Sequence, residues 1–441
     1  MCGIAVSQLK RGCDILGPGP KNKVGQGRGM TSEIAVMNQR AVAMAADSAV
    51  TLIDGRMVVT RNEQRKLYQL VEGQPVGLMF FGMADVMGHP WDQLIDHYQK
   101  TVAGSPPARL DDYAASFTGM LDHLEDFFPR ERHKDEYRRL LASVFGYILQ
   151  LAQYLQQSGG IGEGGDAAIL DSAIEQVWRD YQFHPDGSPR PDLACFPPEF
   201  GRTVLSEHSE QIDELIAYGF ASVGLGQQAM QRLRDIAVYC VVKDLFLEDV
   251  TGLVFAGFGS EDRYPVLSTW YVSAIVSGIA KRGEASLDRI DTDVKSKIRI
   301  FADSEVTNAF IRGIDFNLER RLYGGFSMMM HGLVDEVVDS FPEADPAARE
   351  NVRSSFQSAV PYYLNMFRGM ISDYQQQAYI NPVLRVLEIA ARGELADTAR
   401  ELVGLNVFKK RIMAQRETVG GAIDVAVISR DGGFQWWPKG G

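Results

Sequence analysis

Three residues near the start of the chain are of types that can do chemistry together. Thr31 heads the run TSEIAVMNQRAVAMAADSAVT, Asp47 lies in its AADSAVT segment, and Lys66 follows in RKLYQL. A threonine hydroxyl is a weak nucleophile at its free pKa and needs a base within hydrogen-bond reach. With Thr31 as the first residue, its own α-amino group could serve, its unperturbed pKa being roughly 7.7–8.0. A nearby lysine ammonium would favour the neutral amine and steady alkoxide character, and a paired aspartate would keep that lysine charged and aimed. The remaining requirement is an oxyanion hole of backbone N–H groups at a tight glycine turn.

Such a set works only if short strands hold it. Ile34 and Val36 alternate with Glu33 and Ala35, a polar turn follows at Asn38-Gln39-Arg40, and Ala41 to Ala46 are small or apolar. This predicts a β-hairpin whose second strand is largely buried. Met57 to Thr60 and Leu67 to Val71 read as further strands, and the continuous apolar run Val76 to Phe81 as a buried one. From about residue 92 the period becomes helical, with Tyr113, Phe117, Leu121, Leu124 and Phe128 at three- and four-residue steps. Helical texture continues over Leu140 to Leu155, roughly 170–182 and 205–250. Strand texture returns at Gly252 to Phe258, Val266 to Val276 and Lys297 to Phe301, helices fill about 305–405, and a last strand spans Gly421 to Ser429. Strands closing up from both ends of the chain around long helical blocks suit a layered α+β fold and not a strict βαβ alternation.

Bulk composition narrows the function classes. The 441 residues are 45% hydrophobic and 23% charged, ordinary for a globular protein large enough for more than one domain. A formal net charge of -12 argues against nucleic acid or an anionic membrane as the main partner. Cys2, Cys13, Cys195 and Cys240 lack metal-ligand spacing and read as free thiols in a reducing cytoplasm. The seven histidines show no clustered ligand spacing, so neither metal nor cofactor is expected. GGIGEGG at Gly159 and GLGQQA at Gly224 lack the Lys-Ser/Thr of a phosphate loop. Phe80, Phe81 and Met83 suggest an apolar pocket beside the nucleophile. Ser327 to Met330 reads as core, with a methionine-rich contact as the other reading.

The segment from Thr31 to Thr51 resembles the N-terminus of proteasome β-subunits and of the bacterial proteasome-like peptidase that works with an ATP-dependent unfoldase. Their mature chains open with threonine, run through strand–turn–strand and reach an A-x-D-x-x-x-T motif, here Ala45 to Thr51. Lys66-Leu67 fits the family's catalytic lysine, and VGLMFFGMAD at Val76 to Asp85 its apolar strand into a glycine turn. KIRIFADSEV at Lys297 to Val306 is similar to the strand entering a Gly-Ser turn, which would make Ser304 the supporting serine. The resemblance covers about 31–88, 252–310 and 405–435. It implies a four-layer αββα sandwich with an added helical region, and a threonine hydrolase acting on a peptide or unfolded protein. A homo-oligomer and an ATP-dependent unfoldase as partner are implied as well. Residues 1–30 would then be a propeptide or precede the true start at Met30. Residues 31–91 and 251–441 would form the hydrolase domain, its helices extended over about 306–405, and 92–250 a helical insertion.

Two departures stand out. Aligned on the family's glycine turn, Phe81 replaces the first glycine and leaves Gly82 as the implied oxyanion turn, and Arg416-Glu417-Thr418-Val419 replaces the family's Asp-x-x-Ser. With the bulky helical blocks, they motivate the alternative of a catalytically silent assembly or binding subunit. The opening MCGI resembles class II glutamine amidotransferases, but the HRGPD-like segment those enzymes need is missing.

Overall fold

The computed structural model describes residues 32–48, 50–54, 57–61, 65–102, 104–157, 165–220, 223–246, 250–302, 305–340, 345–412 and 422–438. β1 (Ser32–Asn38) and β2 (Ala41–Asp47) form the expected hairpin. Asn38 holds its turn: the side-chain oxygen accepts from the backbone N–H of Arg40 at 2.9 Å and of Ala41 at 3.3 Å. A short amide substitutes for backbone partners where a chain reverses, which is why asparagine suits this position. β3 (Val50–Asp54) pairs with β4 (Met57–Arg61). β5 (Leu67–Gln69) pairs with β6 (Val76–Gly82), and β7 (Asp85–Val86) with β8 (His89–Pro90).

The later strands are β9 (Thr251–Gly257), β10 (Val266–Val276), β11 (Ile279–Arg289), β12 (Ser296–Ala302), β13 (Ile423–Ser429) and β14 (Gly433–Trp436). They complete two five-stranded sheets, ordered β12-β1-β2-β13-β14 and β11-β10-β9-β6-β5. Every pairing in both is antiparallel. The architecture is therefore mixed, with antiparallel sheets and abundant helix. β11 has no counterpart in the apolar patterning. Its sequence IAKRGEASLDR is mostly polar, because it is an edge strand whose charges discourage pairing with another chain.

Alternation decides which side chains meet. Ala35, Met37, Val42 and Met44 of the first sheet pack against Leu67, Met79, Val254 and Leu267 of the second. The other face of the first sheet offers Ile34, Val36, Ala41, Ala43 and Ala45 to α10 (Asn381–Ile389) and α11 (Arg392–Ile412). The alanines of β2 let Leu395, Ala396 and Ala399 of α11 sit close. The outer face of the second sheet, with Leu78, Phe80, Leu253 and Phe255, is covered by α1 (Trp91–Val102) and α2 (Leu110–Met120). Both sheets are thus apolar on both faces, so β1 shows burial throughout where one-sided alternation would leave Glu33 in solvent.

Four helices build a separate core: α3 (Arg130–Gln157), α4 (Gly165–Gln182), α5 (Phe200–Phe220) and α6 (Gln227–Val242). The helical texture of roughly 205–250 is carried by α5 and α6. The α3–α6 core meets the sheets through Ala274 and Val276 of β10. α7 (Glu305–Arg312), α8 (Phe316–Asp339) and α9 (Pro346–Gln375) precede α10. The methionine run of α8 is not core: Met328 and Met329 are 77% and 71% exposed. Among the described residues no helix is long and apolar enough to cross a membrane.

Candidate active site

The first sheet presents Glu33 from β1 and Asp47 from the end of β2, and Lys66 stands just before β5 in the second sheet. Lys66 Nζ donates to Asp47 Oδ1 at 2.6 Å and to Glu33 Oε1 at 3.2 Å. All three side chains are buried, the lysine 2% exposed and both acids 0%. Asp47 Oδ1 also accepts from the backbone N–H of Ser32 at 3.3 Å, tying the acid to the residue after Thr31. Ionised groups taken out of water are stable only when paired and hydrogen-bonded, so this cluster holds its geometry rigidly. Two carboxylates on one ammonium leave the cluster with more acid than base when all three are ionised.

Ser32 is fixed from a second direction. Asn406 Nδ2 of α11 donates to its Oγ at 2.7 Å, and Asn406 Oδ1 accepts from the backbone N–H of Thr307 in α7 at 3.3 Å. Ser32 lies opposite Ala302 in the register of β1 and β12. Ala302 has a φ of 56°, a left-handed conformation that costs a non-glycine residue about 1 kcal/mol or more. Strain of that kind clusters at functional sites, and here it falls at the strand end facing the head of β1.

Gly82 closes β6 opposite Thr251 of β9. Its φ is +86°, and a Cβ there would sit 2.3 Å from the Val250 carbonyl oxygen, so only glycine fits. Met83 N–H donates to the same carbonyl at 3.2 Å. Thr251 Oγ1 donates to Met83 O at 2.9 Å and accepts from Trp91 Nε1 at 3.1 Å, which couples the turn to α1.

Phe81, standing where the resembling family has glycine, points between the sheets. It stacks on Phe301 at 5.5 Å and lies so close over Gly252 that a Cβ there would be 2.0 Å from the ring. The expectation of one apolar pocket at Phe80, Phe81 and Met83 does not hold. Phe80 turns the other way into the helix-covered core and stacks on Tyr68 at 6.2 Å, because neighbours on a strand face opposite sides. Met83 lines a small surface cleft with Asp85, Thr251, Glu136 and Arg139.

The structure thus brings Asp47 and Lys66 together and gives Gly82 the conformation of a tight turn. Thr31 and Ser304 lie outside the described residues, as do 417–421. Glu33 is the partner that sequence reasoning missed. The usable signal was an acid inside an otherwise apolar strand, read as the solvent side of an alternation. Among the described residues no group of three or more His, Cys, Asp or Glu could hold a metal ion. Cys195 and Cys240 are free thiols, and burial pushes that of Cys240 up to about 12.

No protein-family model matches the chain, and no curated protein matches it. Among solved structures the chain is similar to Anbu from Hyphomicrobium sp. strain MC1, at 8% identity. The match spans 92% of this chain and 85% of that one, with a TM-score of 0.26. A likeness that loose carries no argument about fold or chemistry, which rest on the sheets and the Lys66 cluster.

Proposed function

We propose that the chain is an N-terminal-nucleophile hydrolase, with the four-layer αββα sandwich of that class and a threonine-peptidase chemistry at Thr31. The observation that carries this reading is the buried Lys66–Asp47 pair beside the head of β1. In this reading residues 1–30 are removed and the Thr31 amine is freed. Thr31 Oγ attacks a peptide or amide carbonyl while the amine takes its proton. Lys66 favours the neutral amine, Asp47 orients Lys66, the N–H groups at the Gly82 turn receive the oxyanion, and Ser304 supports them. The C–N bond breaks as the proton passes to the leaving amine, and water then hydrolyses the ester. Peptide or unfolded-protein substrates, a homo-oligomer and an ATP-dependent unfoldase belong to the same proposal. So does the division into a hydrolase domain and helical insertions at 92–250 and about 306–405.

A catalytically silent assembly or binding subunit is the second reading, and Glu33 favours it. A second carboxylate on Lys66 offsets the positive charge the nucleophile would need. The long helices α8 and α9, with many exposed apolar side chains, go further toward this reading. Intact-mass analysis of the native protein, with and without an epoxyketone, separates the two. A chain beginning at Thr31 that gains one adduct, lost in Thr31→Ala, supports the hydrolase. A chain that keeps residues 1–30 and forms no adduct supports the silent subunit.

A further inference from the structure

α8 and α9 run antiparallel as a hairpin. Arg353 pairs with Asp335 at 2.6 Å, Arg349 with Asp339 at 2.8 Å, and Phe326 stacks on Phe367 at 4.3 Å. The helices are 24 and 30 residues long, yet the apolar side chains they bury fully are only Val334, Val338 and Val360. Apolar residues instead line the outside. On α8, Leu318, Leu322 and Met329 are exposed and joined by Gly325 and Gly332 in steps of four and three, while Phe316, Met328 and Leu333 are exposed off that line. On α9, Phe356, Tyr363, Met366 and Met370 are exposed, and Ala359 completes the same three-and-four stepping. That spacing is the seam of a coiled coil.

Both seams lie about a quarter to a third of a turn from the helix–helix contact, in the same rotational sense along each chain. Because the helices are antiparallel, the two seams fall on one side of the hairpin. The other side carries Arg320, His331 and Asp335 with Ser354, Asn365 and Arg368. A hairpin apolar on one broad side and polar on the other lacks a second layer.

We propose that this apolar side is an interface with the same hairpin of a second copy of the chain, related by a two-fold axis and closing a four-helix bundle. Size supports this occupant. A 24-residue helix is about 36 Å long and two helices are about 20 Å wide, so each copy would cover about 700 Å², close to the ~800 Å² of a standard interface. Charge supports it too. No Asp, Glu, Lys or Arg occurs from 322 to 334 or from 354 to 367, so the central stretch of the seam brings no like charges together despite a net charge of -12. A membrane surface fits less well, since the hairpin tip is acidic at Asp335, Glu336 and Asp339 and lacks the basic face that lipid-binding helices carry. Gly325 and Gly332 sit within the seam with open space where a Cβ would go. Each costs a helix up to about 1 kcal/mol, a cost that close approach of a partner helix offsets. The inference stands apart from the chemistry at Lys66.

Sedimentation velocity on the full chain, from about 1 to about 50 μM, tests it. The wild type is expected to self-associate, and M329E/M366E on the seam to weaken association at least about tenfold. H331E/N365E on the polar side should leave it unchanged, with circular dichroism confirming equal helix content. A wild type that stays monomeric, or an assembly that M329E/M366E leaves unchanged, overturns the proposal. A second measurement covers loss of helix in the seam variant. Isotopically light and heavy wild-type copies are mixed and treated with a carboxylate cross-linker. Light-to-heavy links between hairpin peptides are expected, and inter-copy links confined to other regions overturn it.

Discussion

Lys66 Nζ lies 2.6 Å from Asp47 Oδ1, with both side chains sealed from solvent between two sheets. Glu33 Oε1 also accepts from Lys66 at 3.2 Å, so removing the cation takes a charge partner from two buried carboxylates at once. Lys66→Met should therefore cost about 3–5 kcal/mol of stability, the range for breaking a buried ion pair by deleting one partner. Urea denaturation of the variant against wild type checks this. A loss below about 1 kcal/mol would mean that water or another cation reaches the acids.

Glu33 gives the two functional readings different futures. A carboxylate near an amine favours its protonated form, so Glu33→Gln should ease deprotonation of the Thr31 amine if that amine works as a base. In the hydrolase reading, the acid limb of epoxyketone adduct formation should move to lower pH in Glu33→Gln. The Lys66–Asp47 contact should survive. The pH profile of adduct formation by mass spectrometry reads this out, and an unmoved limb in a reactive protein would assign Glu33 to folding alone.

The Gly82 turn can be tested against an internal control. Gly82 and Gly88 have nearly the same φ, +86° and +83°, but a Cβ at Gly88 meets nothing within 4 Å. Gly88→Ala should cost about 1 kcal/mol, the penalty for left-handed backbone alone. Gly82→Ala adds the contact with the Val250 carbonyl and should cost about 3 kcal/mol or more. Denaturation of both variants isolates the clash as their difference. Equal losses would show that the β6–β9 junction yields easily.

Much of the framework was legible in the residues. The β1–β2 hairpin follows from Ile34/Val36 alternation and the Asn38 turn, β6 from a continuous apolar run, and β9 and β10 from their strand texture. What alternation could not reveal is that the sheets are covered on both faces. That is why Glu33, apparently on the solvent side of β1, is buried beside Lys66. β11 was invisible because its residues answer to water and to local ion pairs. Arg282, for example, grips Asp122 through two bonds of 2.6 and 2.7 Å. The pairing of Asp47 with Lys66 was reachable through resemblance, whereas its distance and burial depend on how two sheets meet. The exposed seam of α8 carries the same residue types as a core, and composition alone cannot tell a buried stripe from one awaiting a partner.

Lys281 offers a pH test remote from the site. It is buried beneath the helical core, donates to the carbonyls of Cys240 at 2.7 Å and Leu245 at 2.5 Å, and lies over the Phe246 ring at 4.8 Å. Burial pushes its ammonium from 10.5 down to about 8. Because the folded pKa lies below the unfolded one, the unfolded chain holds more protons between them, and stability rises with pH across that window. Near neutral pH the ammonium is destabilising by at most about 3 kcal/mol, and this is relieved above pH 8. Burial raises the phenols of Tyr137 and Tyr181 well above 10, so they act in the opposite sense. The phenols lose their stabilisation only as pH climbs past about 10, whereas the Cys240 thiol, raised by burial from 9.0 to about 12, opposes the lysine from about pH 9 and is common to both proteins compared. Between about pH 7 and about pH 9.5 the wild type should therefore gain stability relative to Lys281→Met, by about 1–3 kcal/mol. Urea denaturation of both proteins at the two pH values measures it. A parallel response would mean that the two carbonyls hold the proton as firmly as water does.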